Sequence, residues 1–236
     1  MRVEPFSIGS YIHALKRGAR GMPITNEQSD NWRFVRLLYY MNDEFLGENW
    51  NRSLSSSPTA TTKKVGIFSR LPDWPKQKPL VEIVGYCLMP NHFHLILREI
   101  KKNGMAKFMQ KLGQSMSNHF NEKYKQKGSI FQGGYKGRTV EDDNYLRYLA
   151  VYIMVKNPFE LYPKGGLEGA TKDFDNAWSW AIDYPFCSLA DYARKRKNSP
   201  VLEKGLLGEI FSKPIDFKNF AKDCILGRKL DIVTFE

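Results

Sequence analysis

The chain has 236 residues, 42% of them hydrophobic and 14% aromatic, with a formal net charge of +11. That length suits one domain with extensions or two small ones, and no apolar stretch is long enough to cross a bilayer. The positive surplus favours a polyanionic partner, nucleic acid ahead of a membrane surface. Cys87, Cys187 and Cys224 are odd in number and widely spaced, with no Cys-x-x-Cys pair. They predict reduced thiols rather than a disulfide framework or a zinc site. Arg2 and Glu4 with no apolar run behind them give no secretory signal, so the expected location is cytoplasmic.

Ile8 to Lys16, with Tyr11, Ile12, Ala14 and Leu15, reads as a first strand closed by the Gly-rich Arg17–Gly21. Trp32 to Met41 carries Phe34, Leu37, Leu38 and Met41 at helical spacing. From Glu44 to Pro79 periodicity is lost in a run of Ser, Thr and Pro, which predicts an irregular insertion over 44–79. Leu80 to Met89 reads as a strand, Met89-Pro-Asn91 as a turn, and His92 to Leu97 as the strand's partner.

His92 and His94 are two of only four histidines in the chain. At i and i+2 on a strand they project to one side, and two imidazoles on a rigid face can converge on a divalent ion. Alone, a His-x-His is more often two packing or surface histidines.

Met105, Phe108, Met109, Leu112, Met116 and Phe120 then mark the apolar stripe of a long helix, with Lys107 and Lys111 off the stripe. Between Lys101 and Arg138 nine basic residues face one acid, Glu122, which predicts a phosphate-facing surface rather than a merely solvated one. Gly128 to Val140 reads as a turn and strand. Thr139-Val-Glu-Asp142 is close to a capping box and opens a helix ending near Lys156, since Pro158 cannot continue it. Tyr145, Tyr148 and Tyr152 share a face of that helix. Each taken singly would be a core aromatic, yet any of the three could be a nucleophile. Beyond Tyr162, Trp178, Trp180, Tyr184, Phe186 and Tyr192 are expected to pack a C-terminal extension onto the body rather than stack on bases.

Tyr86-Cys-Leu-Met-Pro-Asn-His-Phe-His-Leu-Ile-Leu97 resembles the His-hydrophobic-His motif of one-tyrosine HUH transposases, in particular the REP-associated tyrosine transposase and IS200-like branch. Tyr11–Gly18, Gly128–Gln132 with Tyr135-Lys136, Asp142–Asn157 and Tyr184–Ser188 resemble further elements of that family. The resemblance implies an α+β fold: a ferredoxin-like antiparallel sheet with helices packed on one face, plus the irregular insertion and the C-terminal extension. It implies a catalytic domain over 1–163 and an extension over 164–236.

By the same resemblance Tyr152 is the nucleophile, with Tyr148 and then Tyr145 behind it. His92 and His94 hold Mg²⁺ or Mn²⁺, although imidazoles alone would equally suit softer metals. Asn157 stands as a third ligand one residue later than in relatives, so on a regular helix Lys156 would occupy its face. Lys107, Lys111, Lys136, Arg138 and Lys156 would contact the phosphates of single-stranded or hairpin DNA. The implied activity is cleavage and rejoining of DNA through a 5′-phosphotyrosine, by a monomer or a homodimer. The competing class is a catalytically inactive nucleic-acid-binding regulator derived from a transposase. A two-histidine phosphoesterase lacks its second motif, because neither His13 nor His119 begins a His-x-Ser/Thr repeat.

Overall fold

The computed structural model describes residues 6–45, 68, 70, 74–196, 199–227 and 230. Most of the 44–79 insertion lies outside the described residues. Four antiparallel strands form one sheet: β1 (Tyr11–Arg17), β2 (Val81–Met89), β3 (His92–Glu99) and β4 (Lys136–Thr139), in the order β2-β3-β1-β4. Helix α1 (Gln28–Tyr40) connects β1 to β2, and α2 (Gly104–Tyr124) connects β3 to β4. The sequence of elements βαββαβ with this strand order is the ferredoxin-like arrangement. Among the described residues no helix is long and apolar enough to cross a membrane.

Alternation along the strands divides the core in two. Ile12, Ala14, Phe93, Leu95 and Leu97 face α1 and α2, where they meet Phe34, Leu38, Phe108 and Leu112. On the other face Ile96, Cys87 and Met89 meet the tyrosine helix α3 (Asp143–Val151) and its continuation. Helices therefore cover the second face as well as the expected one, and both faces of β3 are buried accordingly. The C-terminal helices α5 (Gly166–Lys172), α6 (Phe174–Asp183), α7 (Leu189–Tyr192), α8 (Gly205–Ile210) and α9 (Pro214–Leu226) complete this second layer. The aromatics of the extension pack: Trp178, Tyr192, Phe211 and Phe217 are buried in one cluster with the tyrosine helix.

The extension also caps the open edge of the sheet. Leu88 N–H donates to Phe186 O, Ser188 N–H donates to Tyr86 O, and Cys87 and Cys187 face each other in an antiparallel bridge. An unpaired edge strand thus acquires partners from 100 residues downstream. Opposite Ile96, β2 carries a bulge between Ile83 and Gly85, which sends both Val84 and Gly85 towards the second layer. A Cβ on Gly85 would lie 3.4 Å from Ile96 Cδ1 and 3.5 Å from Met154 Sδ, ordinary contact distances that show how closely the tyrosine segment sits on the strand.

Four boundaries differ from those the sequence suggests. The first strand begins at Tyr11, not Ile8, and α1 begins at Gln28, where Glu27 and Asp30 form a reciprocal capping box. The tyrosine helix is capped by Asp142, whose carboxylate accepts from Tyr145 N–H at 2.7 Å, because Thr139 is still the last residue of β4. The helix also passes Pro158 and runs on through α4 (Asn157–Glu160). It does so by widening into a π turn over Tyr152–Lys156, in which Asn157 N–H reaches back to Tyr152 O. The wider turn relieves the clash of the proline ring with the carbonyl of Met154, and that carbonyl accepts the thiol of Cys187 at 3.5 Å instead.

Candidate active site

Three rows of side chains cross the second face of the sheet. Register places Arg17 opposite His92, Leu15 between His94 and Lys136, and His13 between Ile96 and Arg138. His92, His94, His13, Arg17, Lys136 and Arg138 therefore share one face, and the tyrosine segment lies over it. The Tyr152 ring centroid is 5.5 Å from that of His94 and 6.1 Å from that of His13. His92 and His94 are 4.9 Å apart between centroids and nearly perpendicular. One phenol and three imidazoles, distant in sequence, meet in one cluster.

The hydrogen bonds of the histidines orient them. His92 Nδ1 lies 2.6 Å from Asn91 Oδ1, an oxygen that can only accept, so Nδ1 carries the proton and the lone pair sits on Nε2. His94 Nδ1 lies 2.8 Å from His13 Nε2. Burial holds the His13 pKa down at about 3, with Arg138 adding to the effect. Burial also pushes His94 well below the usual imidazole range, helped by His13, His92, Lys156 and Arg17. Both rings are neutral near pH 7, the form in which an imidazole can ligate.

The three tyrosines part company. Tyr148 turns away to pack, tilted, 5.4 Å from the ring of Phe220 of α9. Tyr145 is buried under the Arg138 guanidinium, 5.1 Å from its ring, and burial raises its pKa. Tyr152 is half-exposed and is the tyrosine in ring contact with the histidines.

The π turn decides the neighbour relations at Tyr152. Because the turn closes between Tyr152 and Asn157, residue i+5 comes round beneath the tyrosine, where an α-helix would bring i+4. Asn157 is 1% exposed and its Nδ2 has no hydrogen-bond partner. Lys156 stays close too, with Nζ 4.9 Å from the Tyr152 ring centroid and paired to Glu160 at 2.5 Å.

The remaining basic residues singled out by the sequence are spread over the molecule. Lys136 and Arg138 flank the cluster from β4. Lys107 and Lys111 lie on α2, beyond the opposite face of the sheet, and Lys111 donates to Asp43 O. The dense positive charge of 101–138 is also partly neutralised from afar: Lys101 pairs with Glu44, and Lys123 with Glu27 and Asp30. Those acids lie 57 to 96 residues away, outside any local count. Two residues that the sequence pattern does not mark as part of the site join it, His13 and Arg17. Their signal is parity: with Tyr11 and Leu15 they occupy one side of β1.

Among the described residues no group of three or more His, Cys, Asp or Glu could hold a metal ion. The available donor set is the imidazoles of His92 and His94 and the carboxamide of Asn157. His92, whose Nδ1 is held by Asn91 and leaves Nε2 to ligate, and the buried His94 beside it fit a divalent cation, and the Asn157 carboxamide would join them through its oxygen, its orphaned Nδ2 being a donor.

A His pair and a tyrosine are thus brought together on a ferredoxin-like sheet and flanked by Arg17, Lys136, Arg138 and Lys156. The family model described as "Transposase IS200 like" matches residues 75–156, which carry β2, β3, both histidines of the pair and Tyr152. No curated relative matches the chain. Among solved structures it is similar to the REP-associated tyrosine transposase bound to a REP hairpin, at 10% identity and a TM-score of 0.46, over 86% of this chain and 90% of that one.

Proposed function

We propose that the chain cleaves and rejoins single-stranded or hairpin DNA through a covalent bond between Tyr152 and a 5′-phosphate. The observation that carries this reading is the approach of Tyr152 to His94, 5.5 Å between ring centroids, on a face lined by Arg17, Lys136, Arg138 and Lys156. In the step itself Tyr152 Oη attacks the scissile phosphorus in line. A Tyr–O–P bond forms, the P–O3′ bond breaks, the phenol loses its proton and the departing 3′ oxygen gains one. Attack of another 3′-OH on the phosphotyrosine reverses these changes, so rejoining needs no nucleotide cofactor.

The side chains divide the work by position. Arg17 and Arg138 flank the histidines from β1 and β4 and supply fixed positive charge for the phosphate oxygens. Lys156, steadied by Glu160, sits over the tyrosine ring and favours the phenolate that develops during attack. Lys136, and the more distant Lys107 and Lys111, are left for contacts with the DNA backbone away from the reacting phosphate. His92, His94 and Asn157 would hold Mg²⁺ or Mn²⁺, which when bound supplies Lewis-acid charge at a non-bridging phosphate oxygen. Residues 1–163 hold every one of these groups, and 164–236 act as a scaffold behind the tyrosine helix.

The test is to incubate the protein with Mn²⁺ and single-stranded oligonucleotides that contain a hairpin, labelled at either end. The expected product is a denaturation-resistant adduct carrying the DNA 3′ of the cut, with a released strand ending in 3′-OH. Tyr152→Phe should bind the same DNA and form no adduct. If the wild type binds DNA and neither nicks nor couples to it, the chain is a binding protein that has kept the architecture alone.

A further inference from the structure

His13 is a fully buried polar side chain in a strand whose neighbours Ile12, Ala14 and Leu15 are all buried and apolar. Burying an imidazole there costs stability unless its nitrogens are satisfied, so its use needs a reason that Leu or Phe could not meet. The sheet supplies one. His94 stands opposite Leu15, so His13 is its diagonal cross-strand neighbour, and the two rings are 5.0 Å apart between centroids. The contact is a hydrogen bond between named atoms, His13 Nε2 and His94 Nδ1, at 2.8 Å.

One of these two nitrogens must donate and the other accept, because a hydrogen bond at 2.8 Å joins them. Were His13 Nε2 the donor, His94 would carry its proton on Nε2 and could not ligate through that nitrogen. Were His94 Nδ1 the donor, its lone pair would lie on Nε2, as the lone pair of His92 already does. Only the second arrangement gives the two histidines of the pair matching tautomers.

We propose that His13 is a positioning residue for the pair: its Nε2 accepts the Nδ1–H of His94 and fixes the tautomer and ring orientation in which His94 Nε2 ligates. The inference rests on the reading of His92 and His94 as metal-binding. Asn91 does for His92 from the neighbouring position in sequence what His13 does for His94 from another strand. Such supporting bonds are worth ~10–100-fold in metal affinity.

Two measurements test it on the full chain. Mn²⁺ titrated into the wild type, His13→Phe, His13→Gln and His94→Ala gives dissociation constants by calorimetry, with electron paramagnetic resonance counting unbound Mn²⁺. His13→Phe should weaken binding about tenfold or more. His13→Gln, whose amide oxygen can accept the same proton, should stay within about threefold of wild type, a rescue that mere packing would not produce. Binding lost in His94→Ala but unchanged in His13→Phe overturns the role of His13 and leaves the metal reading intact. Binding unchanged in His94→Ala overturns the metal reading, and the role of His13 with it. Should His13→Phe fail to fold, ¹⁵N spectra of the wild-type histidines decide the matter without a variant. A protonated Nδ1 on His94 is expected, and a protonated Nε2 refutes the inference.

Discussion

Ser188→Ala isolates the contact that ties the C-terminal extension to the strand beneath the tyrosine segment. Ser188 is fully buried, and its Oγ accepts Tyr86 N–H at 2.9 Å while donating to Tyr86 O at 3.2 Å. Tyr86 O keeps a second partner in Ser188 N–H, so the carbonyl survives the change. The amide of Tyr86, beside the bulge and fully buried, does not. Two bonds of about 1 kcal/mol are lost and one buried N–H is orphaned at about 1–3 kcal/mol, partly counting the same loss, so a net cost of about 2–3 kcal/mol is expected. In a chain of this size that corresponds to a fall in Tm of about 5–10 °C. Urea unfolding should show a lower midpoint with an unchanged slope, and alanine should lower stability without moving the site's registers. A loss below about 0.5 kcal/mol would refute the reasoning, because it would mean the Tyr86 amide never depended on Ser188.

Two buried carboxylates make predictions of opposite sign. Asp30 accepts Lys123 Nζ, His119 Nε2, Tyr124 Oη and the Asn26 and Glu27 amides, and these donors outweigh its burial and hold its pKa well below the usual range. Its contribution is present above about pH 4 and disappears as pH falls below that value, and Asp30→Asn should remove about 3–5 kcal/mol at pH 7, read from denaturant midpoints. Asp191 is instead pushed up to about 6, chiefly by burial, with Arg196 and Lys204 opposing. The folded state there binds the proton more tightly than the unfolded chain. Stability from this group is complete below about pH 4 and is lost as pH rises through 6, about 2–3 kcal/mol in all. Asp191→Asn should flatten the stability curve between those limits, and an unchanged slope would show that Asp191 does not titrate there.

The parts of the structure legible in the sequence are those whose signal is local and periodic. His92 and His94 share a face because a strand alternates, and the turn at Met89-Pro-Asn91 fixes where that strand begins. The stripe from Met105 to Phe120 made α2 plain. The π turn was visible only as the i+5 spacing of Tyr152 and Asn157, since its cause, Pro158 together with a thiol from Cys187, joins residues that no window contains. For the same reason the rule that proline ends a helix failed here. His13 carried a signal only once β1 was known to lie beside β3, a fact of topology rather than of sequence pattern. The basic run carries less unpaired charge than its local count suggests for a related reason, as Asp30, Glu27 and Glu44 reach Lys101 and Lys123 through the fold.

The central claim is that Tyr152, and no other phenol, takes the phosphate. Trapping the adduct with a hairpin-bearing strand in the presence of Mn²⁺, digesting protein and DNA, and locating the nucleotide by mass spectrometry tests it most directly. The modified residue should be Tyr152 on the segment that ends in Asn157-Pro158. A nucleotide on Tyr148, which the structure turns towards Phe220, or on Tyr145 under Arg138, would contradict the account.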